Sequence, residues 1–257
     1  MLQHVKHSLR SLALAIPGGT AAYRWCASAL GRRRFRRMFP GLATTTDAAA
    51  IFDHVYRTNA WGRGESVSGP GSTLTYTAHL RGELPRLARD LGVKTLLDAP
   101  CGDAHWIRAV EWHEPIRYVG GDICAALIDR NRATNDRAGW SFLPLDIRHD
   151  ALPPSDLWLC RDCLFHLPER DVLAVLHNFL RHDIPYLLTS CHTECRINAD
   201  VPTGGFRLIN LQLPPYGLPE PLTTIDDWLP GHVQRHLALW SREQVAAALA
   251  DRGKPQP

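Results

Sequence analysis

From Lys94 to His192, five short apolar runs alternate with segments of helical spacing, and this alternation constrains the chain more than any other feature. The runs are "KTLLDAP", "RYVGGDI", "WSFLPLDI", "DLWLCRDC" and "PYLLTSCH". Each has the length and composition of a buried strand. Between them, "AHWIRAVEW", "AALIDRNRATN" and "PERDVLAVLHNFLRH" read as helices. Pro168 falls near the first turn of the last, where a missing N–H does no harm. Strands alternating with helices make βαβ units. They predict an α/β, doubly wound, mainly parallel sheet with helices on both faces. After Cys191 the alternation decays. "RLINLQLPPYGLPEPLTTI" is rich in proline, and "RHLALW" reads as a late strand before a final helix, Arg242–Asp251.

The residues before Lys94 divide in two. Residues 1–45 form a basic leader and residues 46–92 a helical lid or cap; residues 93–257 hold the sheet. The cap reads as a helix from Asp47 to Thr58, a glycine-serine loop "WGRGESVSGPGS" and a helix from Leu74 to Leu91. Loops of that length are often functional, and this one is expected to close over a ligand. Residues 1–46 hold eight of the 29 Lys and Arg and no Asp or Glu, so the body carries about −5 under a net +3. The segment "GRRRFRRMF" concentrates five arginines, Arg32–Arg37, around Phe35. Two outcomes stand open: contact with an anionic membrane or other polyanion, or a solvated helical face that packs its aromatics on the body.

No apolar run approaches the roughly 20 residues of a membrane span. "LRSLALAIPGG" is short and broken by Pro17, Gly18 and Gly19, so it reads as a short helix and not a signal peptide. An Arg-rich transit peptide is the lesser alternative for the leader. Seven scattered cysteines suit reduced thiols in a cytoplasmic protein, with peripheral membrane association left open. Cys160, Cys163, Cys191 and Cys195 end two strands expected to be neighbours. Successive strand residues alternate faces, so buried thiols are the expectation and no metal is assigned.

In doubly wound sheets, ligands bind beyond the carboxyl ends of the strands, where strand order reverses. "TLLDAPCGDAHW" is the first strand–helix turn. It carries Gly102, but Pro100 and Ala104 stand where further glycines would make a dinucleotide fingerprint. Pro100 removes a backbone donor that a pyrophosphate would need. The turn therefore suits a nucleoside without phosphates better than NAD or FAD. Asp98, Asp122 and Asp146 end the first three strands. They suit an amino group, ribose hydroxyls and an adenine amine respectively. S-adenosylmethionine (SAM) presents all three groups and no phosphate. Each aspartate alone has an ordinary reading as a helix cap or turn residue.

The ordered set "LLDAPCGDA", "YVGGDI", "FLPLDI" and "DLWLCRDCLFHL", across roughly residues 94–192, resembles class I SAM-dependent methyltransferases. With "WGRGESVSGPGSTLTYTAHLRGELPRL" and "NLQLPPYGLPEP", the chain is similar to a bacterial subgroup of unassigned substrate. The resemblance implies a seven-stranded Rossmann-like methyltransferase fold with a late antiparallel strand, here carrying an N-terminal helical extension. It implies that the Asp98–Gly102 loop, with Pro100, faces the methionine part. Asp122 and Ile123 would then meet the ribose, and Asp146 with Ile147 the adenine. Trp61, Ser68 and Ser72 of the cap loop are expected at the methionine end.

Methyl transfer needs alignment of a nucleophile and, for a hydroxyl acceptor, removal of a proton. Asp162 and His166, just past the fourth strand, are the candidate catalytic residues. Arg161 is a candidate to orient a carboxylate of cofactor or substrate. His192, Arg207 and Asn210 are expected on the wall of the acceptor pocket. The sequence thus reads as a SAM-dependent methyltransferase of a small-molecule or glycan-type acceptor, with oxygen favoured as nucleophile. RNA or protein methylation is the rival among enzymes. Phe35 and Phe39 are the only aromatic platforms near the Arg cluster, so nucleic acid is disfavoured. A non-catalytic SAM- or nucleotide-binding module is the rival from another class.

Overall fold

The computed structural model describes residues 18–42, 45–62 and 64–251. The short helix expected at Leu9–Gly19 lies outside the described residues up to residue 17. Six helices and seven strands are described: α1 Gly19–Met38, α2 Ala48–Arg57, α3 Ala78–Asp90, β1 Thr95–Asp98, β2 Arg117–Asp122, α4 Ala125–Thr134, β3 Trp140–Pro144, β4 Leu157–Cys160, α5 Glu169–Leu180, β5 Tyr186–Cys191, β6 Thr223–Asp226, β7 His236–Ser241 and α6 Arg242–Asp251.

The strands form one sheet in the order β3-β2-β1-β4-β5-β7-β6. β1 to β5 pair in parallel, and β7 runs antiparallel to both β5 and β6. β1, β4 and β5 are buried on both faces, which explains why they read as continuous apolar runs. Alternate residues feed two layers. Leu97, Trp158, Leu187 and Trp240 pack against Val172, Val175 and Phe179 of α5. Leu96, Leu157, Leu188 and Leu239 join Leu80, Leu84 and Ala88 of α3 on the other side. The second cap helix is thereby part of the sheet's own core.

Two elements depart from the expectations. "AHWIRAVEW" holds only a single 3₁₀ turn, Ile107–Ala109, and opens on Ala104 at φ +50°, outside the right-handed helical region. β6 lies in the tract that read as proline-rich. It is four residues long and buries only Ile225, too little for a sequence pattern. Residues 31–39 belong to one 20-residue helix and its end. Phe35 and Phe39 pack with Ile51 and Val55 of α2, while Arg32, Arg33, Arg34, Arg36 and Arg37 remain exposed. Met38 is 53% exposed.

Candidate active site

The sheet order reverses between β1 and β4, with Asp98 in register with Leu159. A cleft opens there, beyond the carboxyl ends of β1 to β4, as such sheets dictate. It encloses about 1070 Å³ of atom-free space, open mouth included. Its lining brings together Trp61, Ser68, Ser72, Asp98, Pro100, Gly102, Asp122, Ile123, Asp146, Ile147, Arg161, Asp162 and His166. α2 closes one side with Ala48, Phe52, Val55 and Tyr56.

The three strand-end acids differ in state. Asp98 is buried and accepts the Tyr118 hydroxyl at 2.6 Å. Burial pushes its carboxyl up to about 7, against the pull of that hydrogen bond and of Arg161. Asp122 accepts the N–H of Gly102 at 3.1 Å and of Cys124 at 3.0 Å; burial still raises it. It therefore fastens the β1 turn to the start of α4. Asp146 is the most occupied. Arg148 gives its Nε to one oxygen at 2.9 Å and a terminal nitrogen to the other at 2.6 Å. Burial would raise Asp146, but the bonds from Arg148 outweigh it and hold it below the usual carboxylate range.

The turn after β1 is shaped by close approach. Gly102 sits at φ +56°, and a Cβ there would lie 2.3 Å from the Ser68 hydroxyl. Asp103 clasps the cap loop, accepting the hydroxyls of Ser66 and Ser68 and the N–H of Val67 at 2.9–3.1 Å. Its own N–H donates to Ser68 at 3.0 Å. The cap loop is thus folded onto the β1 turn. The sequence reading had no signal for this role of Asp103 beyond its place beside Gly102.

On the β4 side, Arg161 and Asp162 enter a four-charge network. Arg161 is paired with Asp227 and donates to the Gly71 carbonyl at 2.7 Å. Arg235 reaches Asp227 and Asp162, each at 3.0 Å. Burial alone would raise Asp162, but Arg161 and Arg235 beside it keep it ionised. Asp162 also sits at φ +53°. A non-glycine residue held there costs about 1–3 kcal/mol, and such strain clusters at functional sites. Asp227 and Arg235 come from the β6 end and the turn into β7, more than 60 residues away in sequence. No local motif announces them.

His166 stacks on Trp61, with ring centroids 4.4 Å apart and planes 22° from parallel. Its Nδ1 lies 2.6 Å from the Gly205 carbonyl, an acceptor only. Nδ1 therefore carries the proton, and Nε2 keeps its lone pair. Burial pushes the imidazole down to about 4, against the Gly205 bond and the charge of Asp162. The His166 imidazole is therefore neutral at neutral pH.

His192, Arg207 and Asn210 are not in the lining of this cleft. His192 is buried, and its Nδ1 accepts from Ile209 at 3.3 Å. Arg207 bonds the carbonyls of Ala199 and Leu167 and the Tyr216 hydroxyl. Asn210 caps its own turn, accepting from the N–H of Gln212 at 3.0 Å. All three brace the segment after β5. Cys160, Cys163, Cys191 and Cys195 are buried thiols, and no group of three His, Cys, Asp or Glu among the described residues could hold a metal ion.

The charged residues of the cleft are Asp98, Asp122, Asp146 and Asp162 against Arg148 and Arg161, both of them paired. The formal excess is negative. It opposes a pyrophosphate and favours a cationic ligand. The sheet order, with its late antiparallel strand and a cleft at the β1–β4 switch point, is that of the Rossmann-like class I methyltransferase fold.

No protein-family model matches the sequence, and no curated protein matches it. Solved structures do. The fold is similar to magnesium protoporphyrin IX methyltransferase from Synechocystis PCC 6803 with bound SAM, with a TM-score of 0.53 and 12% identity over 76% of this chain and 98% of that one. It is also similar to the N-methyltransferase NodS from Bradyrhizobium japonicum WM9 in complex with S-adenosylhomocysteine, with a TM-score of 0.52 and 16% identity over 76% and 98% of the two chains. At these identities the likeness is one of fold. No helix among the described residues is long and apolar enough to cross a membrane.

Proposed function

We propose that this protein is a SAM-dependent methyltransferase of a small-molecule or glycan-type acceptor, and that the acceptor atom is oxygen. One observation carries the reading. Three aspartates at successive strand ends share a cleft with a neutral histidine whose Nε2 lone pair is uncommitted. Both fold neighbours were solved with SAM or its demethylated product, which supports the cofactor.

The residues fit that cofactor. Bound in the cleft, SAM would supply an electrophilic methyl group on a sulfonium. Asp98, kept near the edge of ionisation, suits its ammonium group. Asp122 has spare lone pairs for ribose hydroxyls, and Asp146 with Ile147 would meet the adenine, Arg148 holding the carboxylate in place. Gly102 lets the backbone approach closely. The Ser66–Ser72 loop and Trp61 exclude water from the methionine end. Arg161 holds Asp227 and, through the Gly71 carbonyl, the cap loop, which steadies this side of the cleft. His166 takes the acceptor proton, as its neutral state allows. Asp162 stays ionised and orients the acceptor.

Calorimetric titration with SAM, S-adenosylhomocysteine and NAD tests the reading. The two sulfur ligands should bind in the micromolar range, on the order of −8 kcal/mol, and NAD should not. Tight NAD binding without either sulfur ligand would end it. SAM binding without turnover over a broad acceptor panel would favour a non-catalytic module instead.

A further inference from the structure

A second cavity of about 1350 Å³, mouth included, lies between α1 and the segment Asp200–Thr203. α2 separates it from the cleft: Ile51 lines this groove, while Phe52 and Val55 line the cleft. The chain around the candidate base runs from one to the other. His166 and Leu167 line the cleft, and Pro168, Glu169 and Arg170 line the groove. Thr203 lines it too, next to Gly204, whose N–H donates to the His166 carbonyl at 2.8 Å, and close to Gly205, whose carbonyl holds Nδ1. One wall of the groove therefore also orients the base.

The groove is basic by construction. Arg24, Arg32 and Arg36 lie on a single ridge of α1, four residues per step, with Ser28 between them. The buried Ser28 accepts the Asp200 N–H at 3.0 Å and pins that ridge to the wall. The acids present are already engaged. Glu169 pairs with Arg24 at 2.5 Å. Asp200 takes the N–H of Glu169 at 2.7 Å and of Val201 at 3.0 Å, and Arg207 at 3.4 Å. Arg32 and Arg36 have no ion pair among the described residues, and both are exposed. Like charges one turn apart repel. A dianion between them would remove the repulsion, and guanidinium forks match phosphate oxygens in pairs. Buried Phe35 and Ile51 back the groove with apolar surface, which strengthens such pairing.

We propose that this groove binds a phosphate group carried by a soluble ligand, against the wall that also holds His166 in place. Inorganic phosphate and pyrophosphate are the probes, titrated by calorimetry into the full chain. The variants are R32Q/R36Q and, as a control, R33Q/R37Q, whose side chains leave the helix about 100° further round. Pyrophosphate binding should weaken at least roughly tenfold in R32Q/R36Q and less than about twofold in R33Q/R37Q. Equal weakening in both, or no binding to the parent, overturns the groove. Phosphatidylglycerol vesicles against phosphatidylcholine vesicles form the second arm. Binding to the anionic vesicles alone, with none to pyrophosphate, overturns the soluble ligand in favour of a lipid headgroup. S-adenosylhomocysteine affinity is read in the same samples. If it is intact while pyrophosphate fails, only the groove falls; if it is absent throughout, the methyltransferase reading falls.

Discussion

The Asp227 carboxylate accepts two hydrogen bonds from Arg161, Nε–H and a terminal N–H, each at 2.9 Å, and both side chains are withdrawn from solvent. The pair anchors the β6–β7 turn to the end of β4 beneath the cap loop. Removing one partner of such a pair leaves an uncompensated buried charge, which costs about 3–5 kcal/mol. Asp227→Ala should lower unfolding stability by that amount in urea titrations. A change within about 0.5 kcal/mol, the size of an ordinary surface substitution, would mean that water reaches Arg161 freely.

Asp122→Ala should weaken S-adenosylhomocysteine binding by about 1.5–3 kcal/mol, the scale for leaving buried hydroxyls unpaired. Stability should fall as well, since the N–H groups of Gly102 and Cys124 lose their acceptor. Calorimetry on the folded variant decides the point. Unchanged affinity would reduce Asp122 to a local brace between the β1 turn and α4.

Asp98 ties binding to pH. Its folded carboxyl sits at about 7 against an ordinary 3.8, so between those values the folded chain holds a proton that the unfolded chain has lost. The stability it contributes is full below the lower value and is lost as pH rises through the upper one. An ammonium beside Asp98 favours the charged form, so cofactor binding below pH 7 should release a proton. Affinity should therefore fall as pH drops from about 8 to about 5.5, and Asp98→Asn should flatten that dependence. A parent protein with pH-independent affinity would take the ammonium away from Asp98.

His166→Ala should lower turnover on an oxygen acceptor roughly 10²–10⁴-fold while leaving cofactor affinity intact. Because burial holds the imidazole near 4, the acid limb of the parent's pH–rate profile should fall near that value and not near 6.5. A limb at 6.5 that persists in the alanine variant would assign it to another group.

Gly102→Ala introduces a Cβ that meets the Ser68 hydroxyl at 2.3 Å and forces φ +56° on a residue with a side chain. A cost of at least about 1 kcal/mol is expected from the backbone alone. The clash should also loosen the cap loop. Hydrogen exchange at Ser66–Ser72 should rise, and cofactor affinity should fall with it. Unaltered exchange would mean that the loop is held without Asp103 and Ser68.

The sequence by itself determined the strand ends and hence the acids. β1, β4 and β5 are buried on both faces, so their apolar runs are unbroken, and the residue that ends each run is readable without a structure. Asp98 ends β1, and Asp162 and His166 follow β4; Asp122 ends β2 and Asp146 follows β3, and the sheet gathers all five in one cleft. What those groups are bonded to was decided only by the tertiary structure. Asp146 meets Arg148 across one turn, but Asp162 meets Arg235, and Arg161 meets Asp227, because β7 and β6 close the sheet beside β5. His192, Arg207 and Asn210 stand past a strand end as well, yet the bonds they make brace the segment after β5. A charge or polar group finds its partner through space at a few ångströms, and burial sets the strength of that pairing. Sequence periodicity records which face a residue occupies; it holds no record of what arrives opposite from sixty residues away.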